Sequence, residues 1–303
     1  MSVALSRCWW TFALLACSPV ALAADPAATL TLLEGPAVLV RGVTRYALAE
    51  GVRLQTGDIV EVGDKGLAQI EFPDGAALSL GAGTRMLAVS MPRGKAAGGN
   101  FYVTQGTLKV AGVRKDARLR FVTPVFTLQP AEGIAVALVS GGEGSVFIES
   151  GETRLDGPPA KGAATAPVRL KSGDFLTLKP GQKGAVAPRP SQAFIGALPR
   201  AFLDSLPSRM ARYKERQVQP RQLELATYAE VETWLKGPPD IRRPLVKRFE
   251  QRADDPAFRA ALVANLRFHP EWDPVLYPEK YEKPETDAAG AARSDPKPAT
   301  PAR

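Results

Sequence analysis

The sequence predicts a mainly β protein, an all-β sandwich or roll of short strands followed by a small α-helical domain. Three observations carry that expectation. Between residues 29 and 186, short runs rich in Val, Ile, Leu and Phe alternate apolar and polar with period two, as in "AVLVRG", "LAQIEF" and "SVFIES". The 27 glycines and 27 prolines supply frequent turn signals between these runs, at the spacing of about 8–12 residues typical of sandwiches and barrels. Past residue 190 the apolar period lengthens to i, i+3, i+4, the mark of amphipathic helices.

The chain has 303 residues, 45% hydrophobic and 23% charged, which suits one or two globular domains of roughly 100–200 residues each. Its formal net charge of +8 favours anionic partners and does not bear on fold. Acids lie near most of the basic residues, so most of these read as solvated surface.

Residues 1–23 read as a secretory signal peptide. Arg7 gives a positive start, Cys8 to Ala16 is apolar, and Ala21-Leu22-Ala23 places small residues at the cleavage positions. The apolar run is too short and too Pro-interrupted for a spanning helix. The expectation is a periplasmic product that starts at Ala24 and keeps no stable transmembrane span. The alternative is a lipoprotein anchored at Cys17, because Leu14-Leu15-Ala16-Cys17 resembles a lipobox. Cys8 and Cys17 are the only cysteines. A chain starting at Ala24 therefore has no disulfide, thiolate metal site or cysteine nucleophile, and its stability rests on an apolar core.

The β domain is expected over 24–190. Two segments interrupt its strands, "MPRGKAAGGN" (91–100) and "DGPPAKGAATAP" (156–167), both loops by composition. Within "LQTGDIVEVGDKGLAQIEFPDGAALSL" (54–80) three aspartates sit beside glycines: Asp58, Asp64 and Asp74. In Pro73-Asp74-Gly75, proline presets the first turn position, aspartate suits the second, and Gly75 takes the positive φ that follows. This predicts a three-residue hairpin loop. "GDKG" (63–66) fits the same role. Asp58, after Gly57 at a strand entry, is placed to accept from nearby backbone amides. All three acids read as structural. Their spacing also misses the alternating ligands of a Ca²⁺ loop. The Gly57-Asp58 stretch has an echo at Ser172-Gly173-Asp174, and Gly63–Gly66 has one at Gly181–Gly184, which suggests one strand–turn solution used twice.

The order of these turns is distinctive. The stretch from "GPAVLVRG" through "LQTGDIVEVG" to "GLAQIEFPDGAALSLGAGTR" resembles the FecR-type periplasmic domain, closely over residues 35–85 and more loosely to Val186. A later signature of that family is only partly present: Thr123-Pro124-Val125 is there, but "AEGIAVAL" (131–138) lacks its Gly-Thr and its Phe. The resemblance implies an all-β, non-catalytic module of the bacterial cell envelope. In the best-known members it sits on the periplasmic side of a transmembrane regulator and relays a receptor's state to a sigma factor. This chain shows no anti-sigma segment and looks more like the freestanding exported members.

Residues 191–282 are expected to form the small helical domain. Pro199 stands where a helix would start in "ALPRAFLDSLPSRMARYKERQ". Thr227 and Asp255 fit N-caps, and Gly237-Pro238 fits a stop. Tyr228, Val231 and Trp234 share one helical face. Leu245, Val246 and Phe249 share a second, and Phe258, Leu262 and Leu266 a third. Residues 283–303 have few large apolar side chains and read as a disordered tail.

Enzyme motifs are sparse. His269 is the only histidine; with Glu271 and Asp273 nearby it supports an alternative reading as an envelope-polymer hydrolase. One histidine without cysteine is a poor ligand supply for Zn²⁺. No nucleophile elbow, phosphate loop or dinucleotide fingerprint is present. The densest basic stretches are Arg209 to Arg221, with Arg212, Tyr213 and Arg216 at its centre, and Arg242, Arg243, Lys247 and Arg248. Either could meet phosphate or carboxylate groups. Glycan binding through an exposed Tyr213, Trp234 or Trp272 is a further alternative. The expectation is thus a non-enzymatic envelope scaffold or binding module without cofactor or metal. Its partner would be an envelope protein or an anionic glycan or lipid, not nucleic acid.

Overall fold

The computed structural model describes residues 28–91, 98–157, 167–179, 184–216 and 218–281. The signal peptide, the lipobox, most of the two small-residue loops, all of the Gly181–Gly184 echo but Gly184, and the tail lie outside them. Among the described residues are fifteen strands: β1 (Thr29–Glu34), β2 (Ala37–Arg41), β3 (Thr44–Ala47), β4 (Ile59–Val62), β5 (Leu67–Glu71), β6 (Ala77–Leu80), β7 (Arg85–Ser90), β8 (Gly98–Val113), β9 (Arg118–Val122), β10 (Thr127–Ser140), β11 (Glu143–Asp156), β12 (Val168–Lys171), β13 (Phe175–Leu178), β14 (Ala185–Ala187) and β15 (Arg221–Leu225). The helices are α1 (Gln192–Ala197), α2 (Tyr228–Leu235), α3 (Pro239–Phe249), α4 (Pro256–Ala264) and α5 (Asp273–Leu276), with short 3-10 turns between them. The protein is mainly β with a small helical part.

Three strands are not short. β8, β10 and β11 run for 16, 14 and 14 residues, and each contributes to two layers. The first half of β8 pairs with β7 and, in parallel, with β9; its second half pairs with β6 and β10. β10 and β11 likewise pair along their whole lengths and turn from one layer to the other. One layer is thus β15-β3-β2-β4-β7-β8-β9-β10-β11-β12, and the other is β1-β5-β6-β8-β10-β11-β13-β14. The turning points are glycines at positive φ: Gly106 at 106°, Gly133 at 90° and Gly151 at 78°. Gly133 opposes Gly151, with register shifts on either side of Gly133. A Cβ on Gly133 would stand 2.2 Å from the Ser150 carbonyl oxygen, so the corner closes backbone against backbone.

The main core lies between the layers. Leu39, Val60, Met86, Val103, Phe121 and Leu155 meet Leu30, Ile70, Leu78, Val110, Ala137 and Val146. The Pro73-Asp74-Gly75 loop is the predicted hairpin: Glu71 opposes Ala77, and Gly75 has φ 93°. The Gly63–Gly66 turn is not a hairpin. β4 pairs with β2 and β7, whereas β5 pairs with β1 and β6. The turn therefore carries the chain from one layer to the other.

The C-terminal third covers both outer faces. Phe194 and Phe202 pack on Leu32, Leu67, Val136 and Phe175 of the second layer. The helix expected from Pro199 does not form. Two 3-10 turns, Arg200–Phe202 and Met210–Tyr213, follow that proline instead, and Leu203 is 64% exposed. The sheet takes up backbone groups that a helix would keep. The Lys109 ammonium donates to the carbonyls of Phe202 (2.5 Å) and Asp204 (3.4 Å), and the Arg209 amide donates to Glu71 (2.8 Å). Residues 199–216 are a strap, after which β15 joins the edge of the first layer beside β3. The helical unit itself begins at α2. The Glu230 carboxylate accepts from the amide and hydroxyl of Thr227 at 2.8 Å each, and Asp255 caps α4 by accepting from Phe258 at 2.9 Å. Trp234, Leu245, Phe249, Phe258 and Trp272 pack with Val40, Ile59, Leu87 and Tyr102, which project from the outer face of the first layer. The boundary read at residue 190 is therefore one of composition: residues 191–225 pack with the sheets, and the helices share a core with them.

Candidate functional site

The two Gly-Asp turns match in geometry. Gly57 and Gly173 both have φ 89°. Asp58 accepts from the Gln55 amide and Asp174 from the Lys171 amide, each at 2.8 Å. Each turn is tied to a neighbouring strand by a reciprocal backbone pair, Gly57 and Asp58 with Ala88, and Gly173 and Asp174 with Ile148. Asp58 alone carries a further interaction. Its carboxylate, 1% exposed, takes two hydrogen bonds from Arg41, at 2.6 and 2.9 Å. The nearby Arg248 guanidinium donates to the carbonyls of Val40, Gly42 and Gly57, pinning α3 to the sheet. Burial pushes its pKa down to about 10, against the opposing pull of Asp58, so it remains a cation at neutral pH. Asp74 accepts from the Ala76 amide at 3.2 Å within its own loop.

The residues of the hydrolase alternative are occupied inside the helical unit. His269 is fully buried, its Nε2 3.0 Å from the Tyr228 hydroxyl, and burial foremost holds its pKa below the usual value. Glu271 takes a bidentate pair from Arg242 at 2.7 and 2.8 Å, and Asp273 accepts from Tyr281 at 2.6 Å. The aromatic-platform alternative is overturned. Tyr213, Trp234 and Trp272 are 8%, 0% and 1% exposed, and a buried ring cannot stack on a sugar. Among the described residues, no group of three or more His, Cys, Asp or Glu is gathered as metal ligands would be, and no helix is long and apolar enough to cross a membrane.

The basic clusters read along the chain are dispersed in space. Arg212 and Arg216 are exposed on the strap, but Tyr213 between them turns inward and donates to Glu50 at 2.7 Å. Arg242 is committed to Glu271, and Arg248 to the sheet. Arg243 remains 67% exposed, 3.6 Å from Glu271.

A different basic surface emerges on the outer face of the first layer, beyond the helical unit. Val122 of β9 lies under the helices. Arg120 and Arg118 follow on the same side of that strand, because strand side chains alternate. Phe121 opposes Leu128, which sets Arg120 beside Gln129; Gln129 opposes Arg154, and Arg154 opposes Arg169. The row Arg120, Gln129, Arg154, Arg169 thus crosses four strands, a span of about 14 Å at ~4.8 Å per strand. These side chains line an open trough of about 530 Å³ together with Lys115, Arg118 and Glu152, which makes five cations against one carboxylate. Asp156 holds Arg154 at 2.9 Å and Gln129 at 2.6 Å. Arg118, Arg120 and Arg169 are exposed and have no carboxylate in ion-pair contact among the described residues. None of the trough residues was singled out from the sequence. The alternation in "RLRF" and "VRLK" marks Arg118, Arg120 and Arg169 as outward-facing, but it does not bring these strands together.

No protein-family model matches the chain, and no curated protein matches it. Two solved structures of a "putative anti-sigma factor" from Parabacteroides distasonis ATCC 8503, at 1.65 and 2.50 Å resolution, resemble it with 15% identity and a TM-score of 0.37. Each likeness covers 45% of this chain and 62% of the other, so the chain spans less than two thirds of those proteins.

Proposed function

We propose that this chain is a non-catalytic, exported binding module of the cell envelope, a freestanding FecR-like β body whose ligand contact is the trough over β9, β10, β11 and β12. One observation carries the proposal: Arg118, Arg120 and Arg169 surround a concave surface without carboxylate partners among the described residues. Like charges gathered on one face repel, and an anionic partner relieves that repulsion. The periplasmic location rests on the leader-like residues 1–23. The strap and helical unit act as covers for the two layers.

Retention on isolated envelopes tests this. Wild type should be retained in a salt-sensitive manner, and Arg118→Glu/Arg120→Glu/Arg169→Glu should not be. N-terminal sequencing of the native product should give Ala24. Undiminished retention of the triple variant would remove the trough from the function. A diacylated Cys17 terminus would replace the soluble product with a lipoprotein.

A further inference from the structure

We infer that the trough takes a linear anionic polysaccharide lying across the strands. This rests on the binding-module proposal and narrows its ligand. The row from Arg120 to Arg169, about 14 Å long, exceeds the reach of a single carboxylate, phosphate or sulfate, so the ligand carries several such groups. Arginine suits them because its planar fork grips an oxyanion with two hydrogen bonds. Asp156, itself held by a hydrogen bond from Gln129, already orients Arg154 in mid-row.

The lining separates this ligand from other polyanions. It contains no aromatic ring, so it offers no platform for nucleic-acid bases and none for a neutral sugar face. Among the described residues the large exposed hydrophobic side chains lie elsewhere, at Val186, Ile195, Leu203, Leu225, Val263, Phe268 and Tyr281, so the trough has no anchor for a bilayer. Its floor is β9 to β12, whose backbone groups pair with one another. An acidic peptide laid on that face gains no main-chain bonds, which are the main source of affinity when a peptide adds to a sheet. What remains is recognition by charge at each repeat of an extended chain.

The test is calorimetric titration of the exported chain at low salt with four probes: polygalacturonate, dextran sulfate, poly-L-glutamate and phosphatidylglycerol vesicles. Wild type is compared with Arg120→Gln/Arg169→Gln and with Arg216→Gln, a control on the strap. All three arginines are exposed, and circular dichroism checks that folding is retained. At least one polysaccharide should bind, more weakly as salt rises. The double variant should lose about tenfold or more, the scale of a charge-assisted hydrogen bond, and the control should match wild type. The carboxylate and sulfate probes show which oxyanion is preferred. Tighter binding of poly-L-glutamate or vesicles, still lost in the double variant, would overturn the polysaccharide assignment and leave the trough as the site. No binding of any probe, or equal binding by wild type and the double variant, would overturn the trough itself.

Discussion

Replacing Asp58 by Asn keeps the side chain's shape and removes its charge. Arg41 then loses its bidentate partner, and half-buried Arg248 loses the opposing pull of the Asp58 charge. The expected cost is about 3 kcal/mol, the scale of breaking one side of a buried pair. Asp74→Asn, in a loop shaped mainly by Pro73 and Gly75, should cost no more than about 1 kcal/mol. Urea midpoints compare the two, and equal shifts would mean that the Asp58 pair contributes nothing. His269 gives a pH dependence. Its folded pKa lies below the usual 6.5, chiefly through burial, so the unfolded chain binds the proton first. The associated stability is fully present above about pH 6.5 and is lost as pH falls toward the folded pKa, by at most about 1.4 kcal/mol per unit. Melting temperatures at pH 7 and pH 5 should differ less in His269→Gln, where Tyr228 keeps a polar neighbour.

At the scale of elements, the bends in the long strands decide the architecture. Gly133 combines φ 90° with a carbonyl oxygen 2.2 Å from any added Cβ, whereas Gly173 has φ 89° and nothing within 4 Å. Gly173→Ala should therefore carry only backbone strain, roughly 1–3 kcal/mol. Gly133→Ala should cost clearly more, because the Gly133–Gly151 corner must also open. Denaturant titration ranks them, and the reverse order would show that the corner is compliant. The strap follows a related logic. Lys109 and Glu71 capture backbone groups between Phe202 and Arg209, which trades intrahelical bonds for bonds to the sheet and holds Phe202 against Val136 and Phe175.

For the whole molecule, the central question is whether the helices and sheets unfold together. Trp234 is fully buried and meets the Tyr102 ring at 6.3 Å across the boundary between them. Trp234→Ala should cost about 3–5 kcal/mol and lower the stability of both parts. In a chain starting at Ala24 both tryptophans, Trp234 and Trp272, lie in the helical unit, so fluorescence reports the helices and far-ultraviolet dichroism the strands. The two transitions should coincide. Separate midpoints would establish two folding units. A fragment of residues 28–190 should self-associate on size-exclusion chromatography, since it uncovers Val40, Ile59, Leu87 and Tyr102 on one face and Leu32, Leu67, Val136 and Phe175 on the other. A monomeric, folded fragment would refute the shared core.

The sequence by itself determined what depends on neighbours along the chain. Alternation marked the strands, Pro73-Asp74-Gly75 specified its hairpin, the Gly57 and Gly173 turns announced each other, and Thr227 and Asp255 marked helix starts. These follow from backbone geometry over a few residues. Only the tertiary structure decided which strands lie side by side. It turned Gly63–Gly66 into a crossing between layers, made a strap of the segment after Pro199, and committed Arg242 and Arg248 to internal partners. It also assembled the trough from Arg118 and Arg120 of β9, Arg154 of β11 and Arg169 of β12. The physical reason is that a side chain's direction is set by the local strand period, whereas its lateral neighbours depend on where glycines let the long strands bend and which apolar faces then meet. A basic row built across strands therefore has no image in the linear order of residues.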